Sequence, residues 1–212
     1  NRGNFYDGIG ALRDVGQNHL LQLLALVAMN EPKTFAAQDI RTERAKVLKN
    51  LMPLTEKTVS TQVSRGQYIG YLENQGVEEN SQTETFFAFT AYLDNDTWTG
   101  VPFHIEAGKA MAERSVSIDI IFKDVASGPF ETQSCLTVEN KLTLTLSPEQ
   151  SMEITLNAKQ PGHGYQLESR TLSFTCNKDG EGIDAYEKVL LDCIYGDQTL
   201  FTQTDEVIAS WK

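Results

Sequence analysis

Two residues suited to proton chemistry lie close together near the amino terminus: Asp14 and His19. A carboxylate can hold a hydroxyl group, and an imidazole, which titrates near neutral pH, can remove its proton. Five residues of an ideal α-helix turn through about 500°, which leaves the two side chains roughly 140° apart. A shared site therefore requires a bend in the helix or a ligand that wraps around the helix end. On spacing alone, a core histidine and a solvated aspartate are the ordinary alternative.

The elements that would position these residues change in character along the chain. Apolar residues at helical spacing predict helices over residues 9–29 and 37–51, the second stopped by Pro53. From about residue 59 the apolar period changes to two and stays so for about 115 residues. The clearest strands are predicted at 85–93, 101–107, 116–123, 141–146, 152–157 and 171–176.

Helical signals return after the strands. Asp184 and Glu187 form a capping-box pattern that predicts a helix start, and Thr204 begins another such pattern. Short connections without crossover helices predict antiparallel pairing. We therefore expect one α+β domain over residues 1–212, in which a large, mostly antiparallel sheet carries helices packed on one face.

Composition excludes several classes of function. The chain has 212 residues, with 18 Lys and Arg against 29 Asp and Glu, and the net charge of −11 repels a nucleic-acid backbone. Its longest apolar stretch is about half the length of a membrane-spanning helix. Three widely spaced cysteines, Cys135, Cys176 and Cys193, lack the spacing of a zinc site. We expect reduced thiols, a cytoplasmic protein, and no metal, nucleic-acid or membrane partner.

Several longer sequence motifs occur in the same order as in one enzyme family. Residues 5–22, which include Arg13-Asp14 and Gln17-Asn18-His19, resemble the stretch around the catalytic histidine of the glucose-6-phosphate dehydrogenases. Other motifs that resemble those of the family are Asp39-Ile40-Arg41, Lys46-Val47-Leu48-Lys49, Arg65-Gly66-Gln67-Tyr68, Thr83-Glu84-Thr85-Phe86, Trp98-Thr99-Gly100-Val101-Pro102-Phe103, Gly108-Lys109 and Asp184-Ala185-Tyr186-Glu187. The resemblance runs from residue 5 to residue 212.

The resemblance implies a cytoplasmic oxidoreductase of the pentose phosphate pathway. Such an enzyme moves a hydride from C1 of glucose 6-phosphate to NADP and forms 6-phosphogluconolactone. His19 matches the family's general base, Asp14 matches the carboxylate that holds sugar hydroxyls, and Lys109 matches a substrate-contacting lysine. Arg114 matches a basic position that touches substrate in some members.

The family's motifs for binding the cofactor and the substrate phosphate are absent from the chain. It contains no Gly-x-Gly-x-x-Gly fingerprint and no Arg-Ile-Asp-His-Tyr-Leu-Gly-Lys motif, both of which we expect upstream of Asn1. We therefore predict no residues here that bind the catalytic NADP, which a Rossmann domain outside the chain would hold. The resemblance implies a carboxy-terminal fragment that binds glucose 6-phosphate, forms a homodimer through its sheet, and is inactive alone.

Some positions depart from the family's pattern. Glu106 stands where many relatives carry Arg, and Ser147 where they often have a substrate-contacting Gln. A second, structural NADP site is expected to be absent, because its basic positions correspond to Ser115, Asp119, Thr145 and Thr155. The exact hexose phosphate therefore stays open. The alternative interpretation is a noncatalytic dimerisation module derived from the same family.

Overall fold

The computed structural model describes residues 2–123, 139–163, 167–175 and 185–212. The chain divides into two compact units: Asn1–Ala110 with Ile183–Lys212, and Met111–Gly182. The single domain expected over residues 1–212 stays a prediction, and so does the capping box at Asp184, which lies outside the described residues together with Cys135 and Cys176.

The first unit combines helices with a small sheet. Its helices are α1 (Arg2–Tyr6), a π-helix (Leu12–Leu20), α2 (Leu21–Ala28), α3 (Ala37–Lys49), α4 (Glu56–Gln62), a 3₁₀ turn (Tyr71–Glu73), α5 (Ala185–Tyr195) and α6 (Thr204–Ser210). Its strands are β1 (Val63–Gly66), β2 (Phe86–Ala91) and β3 (Phe103–Gly108), paired antiparallel in that order.

A hydrophobic core lies between three of these helices and one face of the sheet. Its buried members are Leu21, Leu24, Ala25, Ala28, Val47, Leu48, Leu93 and Ala209, with Phe89, Phe103 and Ile105 packed against them. The Trp98 indole donates to the Ala28 carbonyl oxygen over 2.9 Å and so satisfies one of the free carbonyls at the end of α2. The predicted packing of helices on one sheet face is confirmed in this unit.

The second unit contains an antiparallel sheet of four strands in chain order. They are β4 (Val116–Ile121), β5 (Lys141–Ser147), β6 (Ser151–Lys159) and β7 (Leu167–Thr175). The register places two rows of apolar side chains across one face: Ile118, Leu144, Met152 and Phe174, then Ile120, Leu142, Ile154 and Leu172. Alternation along each strand leaves serines, threonines and acidic residues on the other face.

The structure differs from the prediction in two places. The described strands pair antiparallel, as expected, but they fall into two sheets, β1-β2-β3 in the first unit and β4-β5-β6-β7 in the second, rather than one large sheet. The alternating pattern from residue 59 is also wrong at its start, where α4 runs to Gln62. The Thr55 N–H donates to Thr58 Oγ1 over 2.9 Å, and this local cap favours a helical turn before β1 begins.

Candidate functional site

Asp14 and Lys109 meet at the surface of the first unit. The Lys109 Nζ lies 3.4 Å from Asp14 Oδ2, with the side chains 45% and 36% exposed. The ammonium group also lies 5.3 Å from the centroid of the Tyr6 ring, within cation–π range. Two residues that are 95 positions apart in the sequence thus form one polar site, with a ring beneath its cation.

The backbone fixes where Lys109 leaves the sheet. Its N–H donates to the Thr85 carbonyl over 2.8 Å, which extends the β2–β3 pairing by one step. The next residue, Ala110, has a φ of 55°, in the left-handed region that non-glycine residues seldom occupy. The chain therefore turns sharply after Lys109, so that this lysine is the last side chain presented by the strand.

The helix that carries Asp14 and His19 is a π-helix, which removes the difficulty with their spacing. A π-helix closes its hydrogen bonds between residues five apart, as in the bond from the Leu21 N–H to the Gly16 carbonyl. Gly16 and Leu21 are both buried. Because residues five apart share a face in this backbone, Asp14 and His19 also share one. Neither a kinked helix nor a wrapped ligand is needed.

A glycine lets this helix lie directly on the sheet. A Cβ on Gly16 would come within 2.8 Å of Phe87 Cζ, a ring that is itself only 1% exposed. On another side, the Gln17 amide donates to the Ser210 hydroxyl of α6 over 2.8 Å. The π-helix is thus held by the sheet below it and by α6 beside it.

The segment before β2 holds the start of the π-helix. Glu84 Oε1 accepts from the Leu12 N–H over 3.0 Å, and the Glu84 carbonyl accepts from the Ala11 N–H over 3.0 Å and from the Tyr6 hydroxyl over 3.1 Å. Burial raises the pKa of Tyr6, and the Glu84 and Asp14 carboxylates raise it further. The Tyr6 hydroxyl therefore stays protonated and keeps its donor role.

Asp7 connects the same region to the loop before β2. Its carboxylate accepts from the hydroxyls of Ser81 and Tyr71, the latter over 2.8 Å, and from the Glu78 N–H over 3.2 Å. The hydrogen bond from Ser81 is the largest cause that lowers the pKa of Asp7. This carboxylate is committed to structure and is not available to a ligand.

The remaining predicted residues are exposed. In the described part of the chain His19 has no hydrogen-bond partner, so its imidazole is open to a ligand. Arg114 belongs to the second unit and is exposed, and its role in substrate binding stays a prediction. Glu106 is an exposed residue of β3. The structure therefore brings Asp14 and Lys109 into contact and sets His19 on the same helix face as Asp14.

Sequence reasoning missed the supporting residues Tyr6 and Glu84 as members of the site. Both lie inside motifs that resemble the family's. No local sequence signal, however, indicates that the Tyr6 ring contacts a lysine about a hundred positions later. A cavity of about 670 Å³ lies on another side of the π-helix, and its lining contains none of Asp14, His19 and Lys109. No helix in the described ranges combines the length and apolar character of a membrane span.

The fold and the site together define an α+β domain that carries a partly exposed aspartate–lysine pair and an exposed histidine. A family model described as "Glucose-6-phosphate dehydrogenase, C-terminal domain" matches residues 1–212. The chain is 40% identical to the glucose-6-phosphate 1-dehydrogenase of Aggregatibacter actinomycetemcomitans and 38% identical to that of Chlamydia pneumoniae, covering 100% of this chain and 44% of each relative. The chain belongs to this carboxy-terminal domain family.

Solved structures give the same result. The glucose-6-phosphate 1-dehydrogenase from Mycobacterium avium matches with a TM-score of 0.86 and 34% identity, over 100% of this chain and 44% of that one. A glucose-6-phosphate dehydrogenase in complex with its substrate glucose 6-phosphate matches with a TM-score of 0.89 and 35% identity, over 99% and 44%. The chain thus spans less than half the length of these relatives.

Proposed function

We propose that this chain is the substrate-binding and dimerisation part of an NADP-dependent glucose-6-phosphate 1-dehydrogenase. The observation that carries the proposal is the Asp14–Lys109 pair beside a π-helix that sets His19 on the same face as Asp14. The solved relative with glucose 6-phosphate supports the choice of substrate. The protein would act in the cytoplasm, in the oxidative entry to the pentose phosphate pathway.

The exposed residues suit the oxidation of a sugar hydroxyl. Asp14 would accept hydrogen bonds from ring hydroxyls, and Lys109 would attract the anionic substrate and donate to its oxygens. His19 would take the proton of the C1 hydroxyl as the C1 hydride leaves, which converts the hemiacetal into the lactone. NADP, when bound, supplies the nicotinamide that accepts this hydride.

The Asp14–Lys109 pair can open without a large cost. Exposed ion pairs are worth about 1 kcal/mol or less, because water competes for both partners. Their N–O separation of 3.4 Å is longer than that of a strong charge-assisted hydrogen bond. A sugar hydroxyl could therefore enter between the two groups, accept from Lys109 and donate to Asp14. Substrate binding would then use a pair whose two members are already in place.

NADP would be held mainly by a Rossmann domain outside this chain. All strand pairs among the described residues are antiparallel, whereas the dinucleotide fold needs parallel βαβ units. The second, structural NADP site would be absent. Asp119, at one of its basic positions, accepts from Thr143 over 2.6 Å and lies 3.6 Å from Lys141 Nζ, so an acid already pairs with this lysine. That donor set does not fit a phosphate.

A homodimer would form through the apolar face of β4–β7. Leu172 and Phe174 on that face are 68% and 60% exposed, which in a monomer would leave a large apolar patch in water. Light scattering of the full-length protein should give a dimer that Leu172→Lys disrupts and that Ser173→Lys, on the opposite face, leaves intact. A wild-type protein that stays monomeric at high concentration would reject this part of the proposal.

The decisive experiment measures NADPH formation from glucose 6-phosphate by the full-length protein. We expect activity in the wild type, a loss of several orders of magnitude in kcat for His19→Asn, and no change for His163→Asn, an exposed histidine of the second unit. An active His19→Asn variant would remove the base from its role. An inactive wild type, with NADP and with NAD, would instead support the noncatalytic dimerisation module.

A further inference from the structure

We infer that Glu84 is a positioning residue, which places the substrate-binding pair Asp14 and Lys109 without touching substrate itself. The inference rests on the proposed function. It starts from the location of Glu84, two residues before β2 begins and beside the first turn of the π-helix.

The Glu84 carboxylate caps the π-helix from a distant segment. The first backbone N–H groups of a helix have no partner within the helix, and Glu84 Oε1 accepts one of them, that of Leu12, over 3.0 Å. A negative charge at this end is also favoured by the helix dipole. Asp14 is two residues farther along, so the direction of its side chain depends on how this turn is held.

Gly10 is shaped to receive the carboxylate. Its φ of 82° lies in the left-handed region, and a Cβ there would overlap the Glu84 carboxylate, with Cδ 2.8 Å away. The close approach exists because Gly10 has no side chain. Gly10 and Glu84, 74 positions apart in the sequence, thus form one close contact, and that contact requires glycine at position 10.

The neighbouring residue connects the same segment to Lys109. Thr85 is fully buried, and its carbonyl accepts from the Lys109 N–H over 2.8 Å. The Glu84 carbonyl also holds the Tyr6 hydroxyl, whose ring lies beneath the Lys109 ammonium. Two consecutive residues therefore hold the two members of the Asp14–Lys109 pair. Glu84 holds the start of the π-helix that carries Asp14, and also the Tyr6 ring beneath Lys109. Thr85 holds the backbone of Lys109 at the end of β3.

The test measures KM and kcat separately in the full-length protein. A backbone hydrogen bond to a charged group is worth about 1.5 kcal/mol, which corresponds to roughly a tenfold change in binding. We expect Glu84→Ala to raise KM for glucose 6-phosphate about tenfold, with kcat within about threefold and KM for NADP unchanged. Glu84→Gln, whose amide oxygen can still accept from Leu12, should restore KM to within about threefold of the wild type. Glu79→Ala, an exposed acid of the same loop, is the control.

A merely structural role gives a different pattern. If Glu84 only stabilised the fold, Glu84→Ala would lower kcat through a smaller active fraction and leave KM unchanged, which would overturn the inference. Equal KM values for Glu84→Ala and Glu84→Gln, both raised, would also overturn it. Gly10→Ala should raise KM as well, and Glu84→Ala should add less in that background than alone, because both remove the same contact.

A second readout separates this inference from the proposed function. Hydrogen exchange of the peptide over residues 12–20 should be faster in Glu84→Ala than in the wild type and in Glu84→Gln. If the wild type shows no turnover, the proposed function fails and the substrate role of Glu84 falls with it. Unchanged exchange in an active enzyme would show that the carboxylate does not hold the helix, and only the inference about Glu84 would fail.

Discussion

A buried ion pair between α3 and α6 should make the first unit sensitive to the loss of either partner. The Arg44 and Glu206 side chains are 4% and 0% exposed, and Arg44 Nε lies 2.8 Å from Glu206 Oε1. The guanidinium also donates to the carbonyls of Thr199 and Phe201 over 3.2 and 3.0 Å. Glu206 Oε2 accepts from the Gln203 N–H over 2.7 Å, which caps α6. Removing Glu206 therefore leaves both a buried cation and a free N–H.

The expected cost follows from this burial. Removing one partner of a buried ion pair costs about 3–5 kcal/mol, because the other charge stays buried without compensation. We expect Glu206→Ala to lower the free energy of unfolding by about this amount, a large share of the roughly 5–15 kcal/mol typical of a domain. Glu206→Gln should cost less, because its amide oxygen can still accept from Gln203.

The neighbouring pair is a matched control. Lys49 and Asp205 connect the same two helices over 2.6 Å, but their side chains are 53% and 61% exposed. Asp205→Ala should cost at most about 1 kcal/mol. Urea unfolding of the 212-residue chain, followed by the fluorescence of Trp98 and Trp211, measures both variants. If Glu206→Ala costs no more than Asp205→Ala, burial is not what makes the Arg44 pair strong.

Two further predictions concern the support of the site. The pKa of Asp7 is lowered, so this carboxylate stabilises the fold above its ordinary unfolded pKa and loses that contribution as the pH falls through its folded value. Asp7→Asn should therefore flatten the acid side of a plot of unfolding free energy against pH. An unchanged acid side would contradict this prediction. Gly16→Ala should cost about 1–3 kcal/mol in urea unfolding, because its Cβ would press on Phe87, whereas Gly100→Ala, with no atom within 4 Å, would lose only the strain of its φ of 77°.

Local patterns predicted most of the secondary structure. The helix expected over residues 37–51 is α3, Ala37–Lys49, and the strand expected at 141–146 is β5, Lys141–Ser147. Such elements follow from apolar periodicity, because each buries one face. The division of the strands into two sheets was not predictable in this way, since alternation indicates a strand but not its neighbours.

The candidate residues of the site came from the resemblance and their roles stay predictions, whereas their geometry could not be predicted from the sequence. Asp14, His19 and Lys109 were found by resemblance, while helical spacing alone placed the first two on different faces. The π-helix reverses that result, and the contacts that hold it are long-range: Gly16 packs on Phe87, and Glu84 caps Leu12 across 72 positions. Interactions of this range leave no periodic signal, so sequence spacing could not reveal them.

The arrangement separates the residues that support the candidate site from those that face solvent. Thr85, Phe87 and Gly16 lie beneath the π-helix or beside Lys109 and are buried, whereas Lys109 and Asp14 are 45% and 36% exposed. Exposed polar groups contribute little to stability, so their loss should affect binding far more than folding. The buried residues behave in the opposite way, since a change in their packing moves the whole helix. The same division explains why a weak, open ion pair can still be well placed: its geometry is set by the support beneath it and not by the attraction between its own charges.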